Sequence, residues 1–193
     1  MIRTPNTLRH FLRNETAAVS VEAAIMMPVL MIFCLVIYTY FDSYRKGLGL
    51  TKASYALSDV ISRQDLITPE FIDGLHDIFD FIAAADGDSF IRVTQLRHQG
   101  GEVQVIWSYA TGANDVEALT QATLQAYLDH IPTMRPAEHM VALEASAVYA
   151  PAFNIGLPVR RSYSMIASRQ RGGTKAIWDT NGDGLDDTPA NWP

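Results

Sequence analysis

The chain has 193 residues, 48% of them hydrophobic, and a formal net charge of −6, a length sufficient for about one domain and an anchor. The acidic balance argues against nucleic acid as a partner, because binding phosphates requires a basic surface. Cys34 is the only cysteine, so an intrachain disulfide or a cysteine-ligated metal cluster is excluded.

An uncharged segment near the N-terminus is the first clear element. Ala23 to Phe41 contains 19 consecutive uncharged residues, about enough to cross a bilayer as a helix. Nothing later in the sequence is comparable, which predicts a single transmembrane helix over residues 18–41. A cleaved secretory signal is the alternative, since three arginines precede the segment. The stretch is too long for one and ends in "YTYFDSYRKG", typical of a membrane interface, so we expect the helix to be kept.

The residues at the start of this helix resemble a known family. In "AAVSVEAAIMMPVL" a small-residue junction is followed by a glutamate and then by a proline within the apolar run. The arrangement resembles type IV prepilin-like proteins and, more closely, the TadE/TadG-like family of tight-adherence (Flp) pilus assembly proteins. The family's "VEFALVLP"-like pattern is matched over Val21, Glu22, Ala23, Ala24 and Pro28. The resemblance is specific over residues 13–60. Ala17 replaces the usual glycine and Ala23 the common phenylalanine.

The resemblance implies processing followed by assembly. A prepilin peptidase would cut between Ala17 and Ala18, so that residues 1–17 are a leader and Glu22 becomes the fifth residue of the mature chain. The Glu22 carboxylate would then pair with the amine of Ala18 on a neighbouring subunit, which offsets the cost of a charge in hydrocarbon. The alternative is that Glu22 lies at headgroup depth.

The same resemblance implies the function and the location of the protein. It predicts a non-enzymatic, minor pseudopilin-like component of a Tad/Flp pilus assembly machine, with other pseudopilins or pilus machinery as partners. The chain would cross the bacterial inner membrane once, with its C-terminal domain in the periplasm. A membrane-anchored binding or adhesion module is the alternative from another class, and an anchored hydrolase is a distant third.

Residues 42–172 are predicted to form one extracytoplasmic α+β domain. The first helix continues to residue 64, and Thr68 followed by Pro69 marks the start of an amphipathic helix. Its periodic apolar residues are Phe71, Ile72, Leu75, Ile78, Phe79 and Ile82. Alternation around Gly100-Gly101, including Val103, Val105 and Trp107, predicts a β-hairpin. A helix is predicted over 114–131 and strands over 140–153 and 160–170. This order predicts an antiparallel sheet of about four strands packed by helices.

Few residues of the domain suggest catalysis. The five histidines fall on different predicted elements without a metal-ligand spacing. The "GDSF" at 87–90 resembles a hydrolase Gly-Asp-Ser block, but it lies between a helix and a hairpin, where a turn accounts for it. The sequence has no glycine-rich phosphate loop. We therefore expect no enzymatic activity.

The acidic tail, residues 173–193, contains the last motif. "DTNGDGLDD" has the D-x-N-x-D-G spacing of a calcium loop, and Ca²⁺ takes about six to eight oxygen ligands that alternate residues of a tight loop can supply. The candidate ligands are Asp179, Asn181, Asp183, the Leu185 carbonyl and Asp187. Ala190 stands where an EF-hand has its bidentate glutamate, so the pattern is closer to thrombospondin type 3 repeats and dockerins. The alternative to a calcium site is a solvated acidic terminus.

Overall fold

The computed structural model describes residues 15–85, 87–113, 116–153 and 155–189, with side chains from Val19 onward. Helix α1 is Glu15–Ser62. The elements that follow are β1 (Leu66–Ile67), α2 (Pro69–Ala83), β2 (Ser89–Gln99), β3 (Glu102–Gly112), α3 (Gln121–Leu124), a 3₁₀ helix (Gln125–His130), β4 (His139–Tyr149), β5 (Arg160–Arg169) and β6 (Ile177–Trp178). The predicted α+β class, with a long N-terminal helix and an antiparallel sheet packed by helices, is confirmed.

The chain divides into two compact units, each described by itself. The first contains α1 up to Asp42 together with Pro151–Leu157 from the connection between β4 and β5. Every large hydrophobic side chain from Val19 to Phe33 is more than half exposed. Among the described residues, α1 is the single helix long and apolar enough to span a membrane. An apolar surface of this size indicates a lipid or protein environment instead of water.

The second unit contains Ser43–Ala150 and the chain from Pro158 onward. Its four-stranded sheet has the order β3-β2-β4-β5, and all neighbouring strands are antiparallel. The predicted hairpin is confirmed: Gly100 and Gly101 at its tip have φ of +66° and +90°, the left-handed conformation that a two-residue hairpin turn requires.

An irregularity in the hairpin separates residues that simple alternation puts on one face. Gln95 pairs with Trp107 and Leu96 with Val105, so Ile106 is an extra residue in β3. A bulge of this kind shifts the facing of every side chain beyond it. Trp107 therefore belongs to one hydrophobic cluster and Val105 to the other.

The two hydrophobic clusters cover opposite faces of the sheet. On one face, α1 and α2 pack against β2 and β4; the buried residues at this contact include Leu57, Ile61, Phe79, Ile91 and Leu143. On the other face, the segment containing α3 and the 3₁₀ helix covers Leu96, Val105 and Met140. The sheet is thus buried on both faces, which explains why β4 is apolar at consecutive positions.

Helix α2 begins as the sequence predicts. The Thr68 Oγ1 accepts a hydrogen bond of 3.2 Å from the Phe71 N–H, and Pro69 occupies the first turn. Ile72, Leu75 and Phe79 are buried. Ile78 and Ile82 were expected on the same buried face but are 49% and 41% exposed, because they flank the stripe that contacts the core.

The helix predicted over 114–131 is largely wrong. Among the described residues of this segment, 116–120 are not helical, and only Gln121–Leu124 form an α-helix before a 3₁₀ helix follows. The Leu119 N–H donates to Ser108 Oγ at 2.8 Å, and the Val105 N–H donates to Gln121 Oε1 at 2.9 Å. These bonds hold the segment extended along β3 until Thr120 caps the short helix.

The sequence did not predict a second, two-stranded parallel sheet. Leu66 pairs with Ile177 and Ile67 with Trp178. The Trp178 ring stacks on Trp107 with centroids 4.9 Å apart, and Trp107 Nε1 donates to the Ala176 carbonyl at 3.1 Å. Residues 176–179 are therefore part of the packed structure of the second unit.

Candidate functional site

The first candidate site is the start of α1. Ala17 and Ala18 both lie among the first four described residues of α1. The peptide bond between them is therefore part of the helical backbone. The structure does not describe the side chains of Ala17 and Ala18. Cleavage at this bond stays a prediction.

Glu22 lies one turn further along the same helix. Its side chain is exposed, with exposed Val19, Val21, Ile25 and Met26 around it. Glu22 lies four positions after Ala18, which corresponds to about 6 Å along the helix axis. A carboxylate in such apolar surroundings costs about 3 kcal/mol at the centre of a bilayer. A cation from another molecule would offset that cost.

Pro28 produces a second polar feature in the same segment. It lies inside α1 and has no N–H to donate to the Ala24 carbonyl. Within a bilayer such a carbonyl has to find another partner. A shallow apolar depression lies on α1 next to Pro28. It is lined by Ala23, Met26, Met27, Val29, Leu30 and Phe33.

The second candidate site is the loop that follows β6. Asp179 is fully buried. Its Oδ1 accepts hydrogen bonds from the N–H groups of Asn181 (3.2 Å) and Gly182 (2.7 Å), and its Oδ2 accepts one from Gly184 (2.9 Å). Burial alone raises the pKa of the Asp179 carboxyl, but these backbone donors outweigh it and hold the pKa below its ordinary value.

The other candidate ligands continue the same pattern. Asn181 Oδ1 accepts from the Asp183 N–H at 3.0 Å, and Asp183 Oδ1 accepts from the Leu185 N–H at 2.8 Å. Asp187 closes the loop twice, since its N–H donates to the Trp178 carbonyl at 2.8 Å and its Oδ2 accepts from the Thr180 N–H at 2.9 Å. The loop is thus wound around its own side-chain oxygens.

Two glycines allow this winding. Gly182 and Gly184 have φ of +77° and +83°, a region that residues with a Cβ atom adopt only with strain. Side chains of Asn or Asp that accept from the backbone two residues on are typical of such turns. The D-x-N-x-D-G spacing therefore does produce a tight loop anchored on Asp179.

The donor set of this loop fits calcium in its chemistry. Its side-chain donors are hard oxygens, and the hydrogen bonds above occupy one oxygen each of Asp183 and Asp187, so a second oxygen on each carboxylate can still act as a ligand. Within the part of the chain that the structure describes, no three acidic, histidine or cysteine side chains already converge as a metal site. Asp186, a weaker candidate, forms an ion pair with Lys175. Calcium binding stays a prediction.

A contact between a serine, a histidine and an aspartate was not predicted. Ser89 Oγ donates to Asp80 and lies 2.9 Å from His76 Nε2. Ser89 itself is buried at the start of β2, so its hydroxyl is committed to joining α2 to the sheet. Only the "GDSF" stretch hinted at this serine, and the two partners lie on the preceding helix.

A buried ion pair was also missed. Arg92 on β2 contacts Glu144 on β4, and Arg92 Nη1 donates to the Glu117 carbonyl at 3.1 Å. Tyr127 lies with its ring centroid 5.1 Å from the guanidinium. Burial raises the pKa of Glu144 even though Arg92 opposes the shift. The signal available in the sequence was one carboxylate in β4, Glu144, and two arginines in β2, Arg92 and Arg97.

Comparisons with models of known protein families, with curated proteins and with solved structures found no match.

Proposed function

We propose that this protein is a non-enzymatic, minor pseudopilin-like component of a Tad/Flp type IV pilus assembly machine. The observation that supports the proposal best is the surface of α1 between Val19 and Phe33, where every large hydrophobic side chain is more than half exposed and the one charged residue is Glu22. A lipid-facing anchor alone does not need that charge. A helix that packs beside copies or relatives of itself can use it.

In this proposal the order of events is processing and then pairing. A prepilin peptidase removes residues 1–17, and Ala18 carries a new ammonium group four residues before Glu22. The carboxylate of one subunit pairs with the ammonium of the next, and the pair is stable in hydrocarbon because each charge neutralises the other. The residue spacing then fixes how far neighbouring helices are displaced along their axes.

The proposed location follows from the same chemistry. The helix is anchored in the bacterial inner membrane, and the sheet-containing unit lies in the periplasm. The partners are the prepilin peptidase, other Tad pseudopilins and the membrane. The continuation of α1 as one helix to Ser62, with Leu57 and Ile61 in the core of the second unit, supports a design in which the anchor and the domain share an element.

The experiment that tests the proposal is Glu22→Gln in the native host, with Ser20→Ala on the same exposed turn as the matched control. Glu22→Gln should abolish or strongly reduce pili counted by electron microscopy, while the protein stays in the carbonate-resistant membrane fraction. Removing the charge makes insertion cheaper, so failed insertion cannot account for a loss. Equal piliation by Glu22→Gln and Ser20→Ala would contradict the role of the carboxylate.

Processing is tested separately by sequencing the N-terminus of the mature chain. The proposal expects a start at Ala18, and it expects Ala17→Gly to be processed at least as well as the wild type. A bulky residue at position 17 should leave the leader attached. A mature chain that begins only at Met1 in cells with an active peptidase would contradict the proposed cut.

A membrane-anchored, calcium-dependent binding or adhesion module is the second candidate, favoured by the wound loop after β6. Asp179, Asn181, Asp183, the Leu185 carbonyl and Asp187 would hold the ion, which would order the surface that meets an external partner. We expect an affinity of about 10⁻⁴–10⁻³ M, as in extracellular modules. Trp178 directly precedes the first ligand and reports on the loop.

Calcium titration of the full chain in detergent micelles tests this candidate. Trp178 emission should shift and the melting temperature should rise slightly, and the double variant Asp179→Ala, Asp183→Ala should lose both responses. Asp77→Ala, at an exposed position on α2, is the control that should respond like the wild type. Identical responses from all three chains up to several times the expected dissociation constant would contradict a calcium site in the loop.

A further inference from the structure

The connection between β4 and β5 is apolar and lies against the membrane helix. Residues 150–159, "APAFNIGLPV", contain no charged residue. Pro151–Leu157 form one compact unit with the part of α1 that ends at Asp42. The Phe153 ring meets the Tyr38 ring edge to face, with centroids 6.3 Å apart, and Phe153 remains 42% exposed after this contact.

The exposure of the α1 side chains changes in the part of the helix that the loop contacts. All described side chains of the helix from Val19 to Cys34 are exposed, whereas Leu35 and Val36 are half-buried, Thr39 is buried and Asp42 is half-buried. These positions recur every three or four residues and form one stripe on the helix. The other side chains between Ile37 and Phe41 stay exposed.

The contact lies within the segment that is apolar enough to be in hydrocarbon. Tyr38 precedes Phe41, the last residue of the uncharged run, by three positions, which is about 4.5 Å along a helix axis. A loop that reaches Tyr38 is therefore at the depth of the membrane interface if α1 spans the bilayer. Tyrosine side chains such as Tyr38 and Tyr40 favour this interface, and the Phe153 ring is apolar enough to lie on its hydrocarbon side.

We infer that the β4–β5 loop is a second membrane-inserted element, and that residues 151–153 and 155–157 contact lipid in the leaflet where α1 emerges. The inference rests on the membrane anchor of the proposed function and deepens it. The exposed part of Phe153 faces acyl chains or headgroups, and its ring contacts Tyr38, which lies beside the stripe on α1.

A lipid surface fits this patch better than water does. The loop has an uncharged sequence, and its exposed aromatic ring is continuous with the exposed apolar surface of the helix in the same unit. An apolar patch of this kind on a soluble surface would be an aggregation site. Two attachments also restrict the orientation of the helix, because a helix that is free in a bilayer can rotate about its own axis.

The test uses the full chain in phosphatidylcholine vesicles with single cysteines that carry an environment-sensitive fluorophore. Ala152→Cys, in a Cys34→Ser background, labels the loop without removing Phe153. Ala126→Cys, at an exposed alanine of the 3₁₀ helix, is the matched control. The native Cys34, exposed on α1, reports on the anchor. Each labelled chain is quenched with lipids that carry a doxyl group on the acyl chain and, separately, with iodide in the water.

The inference expects several-fold stronger quenching by doxyl lipid at position 152 than at position 126, with the opposite order for iodide. Adding Phe153→Ala should reduce the lipid quenching at position 152. Iodide access at 152 equal to that at 126 overturns the inference when the Cys34 label is quenched by lipid. Protection of 152 from both quenchers overturns it too, because the loop is then covered by protein. If lipid does not quench the Cys34 label, α1 is not anchored in the bilayer. Both the inference and the proposed function are then wrong.

Discussion

The two units of the chain treat apolar side chains in opposite ways. Phe33 on the first unit is 59% exposed, whereas Phe79 in the core of the second is 0% exposed. Both residues belong to α-helices. The second unit satisfies its own apolar surface by packing a sheet between two layers, and the first leaves its surface for another molecule. Hydrophobicity alone thus does not identify a core.

Removing a phenyl ring from each unit in turn should give the largest difference in the free energy of unfolding between the two units. Phe79→Ala should lower the free energy of unfolding by about 4 kcal/mol, because it leaves a cavity in a close-packed core. Phe33→Ala should leave it nearly unchanged, because no protein atoms of the described core surround that ring. The measurement is denaturant unfolding of the full chain in detergent micelles, followed by tryptophan fluorescence.

The comparison fails if the two substitutions cost the same. A large effect of Phe33→Ala would mean that the N-terminal helix packs against the folded unit in solution. A small effect of Phe79→Ala would mean that the core closes around the missing ring. Membrane fractionation of Phe33→Ala should still find the whole protein in the membrane, since a single apolar residue contributes little to a span of this length.

Two glutamates in apolar surroundings differ between the units in the same way, because one has its counterion within the chain and the other does not. Glu144 is buried and has its partner Arg92 within the chain, whereas the partner of Glu22 is proposed to come from a neighbour. Glu144→Ala should lower the free energy of unfolding by about 3 kcal/mol, because it leaves the Arg92 charge buried without its counterion. Unfolding monitored by circular dichroism measures the loss.

A second substitution separates the ion pair from the shape of the site. Replacing both partners, as Arg92→Met with Glu144→Leu, should recover much of the stability lost in Glu144→Ala, since an apolar pair needs no counterion. The exposed pair of Arg63 and Asp59 is the control, and Arg63→Ala should change stability by about 0–1 kcal/mol. A double variant less stable than Glu144→Ala would contradict this account of the ion pair.

The elements that depend on local sequence could be predicted, and those that depend on distant contacts could not. The Thr68-Pro69 helix start and the Gly100-Gly101 turn are set by dihedral preferences of the residues themselves. The helix over 114–131 failed because its apolar spacing was outweighed by hydrogen bonds to Ser108 and to β3. Periodicity cannot register a competitor from another strand.

The candidate sites divide in the same way. The tail motif predicted a tight loop from spacing and glycines, and the structure has one, but its attachment through β1 and β6 needed a pairing between residues 66–67 and 177–178. Two-residue strands carry no pattern that a sequence can reveal. The Arg92–Glu144 and His76–Ser89–Asp80 contacts likewise depend on strand register and helix placement, which are fixed only when the whole unit folds.

The pH dependence of stability should distinguish the buried carboxyl of Glu144 from the half-buried carboxyl of Glu138. Burial raises the pKa of Glu144, against the opposing effect of Arg92. The folded state then holds that proton more tightly, so its contribution to stability falls as the pH rises from the ordinary glutamate pKa, about 4.3, through the raised value. Glu144→Gln should remove this downward slope from a plot of unfolding free energy against pH.

Glu138 provides the opposite sign as a control. The Arg135 N–H is the main cause that holds the pKa of Glu138 below its ordinary value, and Arg169 adds to it. Its contribution is present above the ordinary glutamate pKa and is lost as the pH falls through the lowered value. Glu138→Gln should therefore flatten the acid side of the curve. Slopes that change in the same direction in both variants would contradict these assignments.

The smallest expected effect compares two glycines that have open space around them. A Cβ atom built on Gly74 in α2 or on Gly184 in the tail loop meets no atom within 4 Å, but Gly184 has φ of +83°. Packing therefore cannot distinguish the two substitutions, and the backbone can. Gly184→Ala should cost about 1 kcal/mol, because an alanine in the left-handed region is strained.

Gly74→Ala should instead stabilise the protein by about 0.5–1 kcal/mol, since alanine loses less conformational freedom in a helix than glycine does.

Trp178 emission reports the effect of Gly184→Ala directly, because Trp178 joins the tail loop to the core through its stack on Trp107. A Gly184→Ala chain as stable as the wild type would show that the loop is not held in its wound conformation. In that case the hydrogen bonds to the Asp179 carboxylate from Gly182 and Gly184 would not persist in solution. The tail would then be a solvated acidic segment, and the calcium-dependent candidate would lose the observation that favours it.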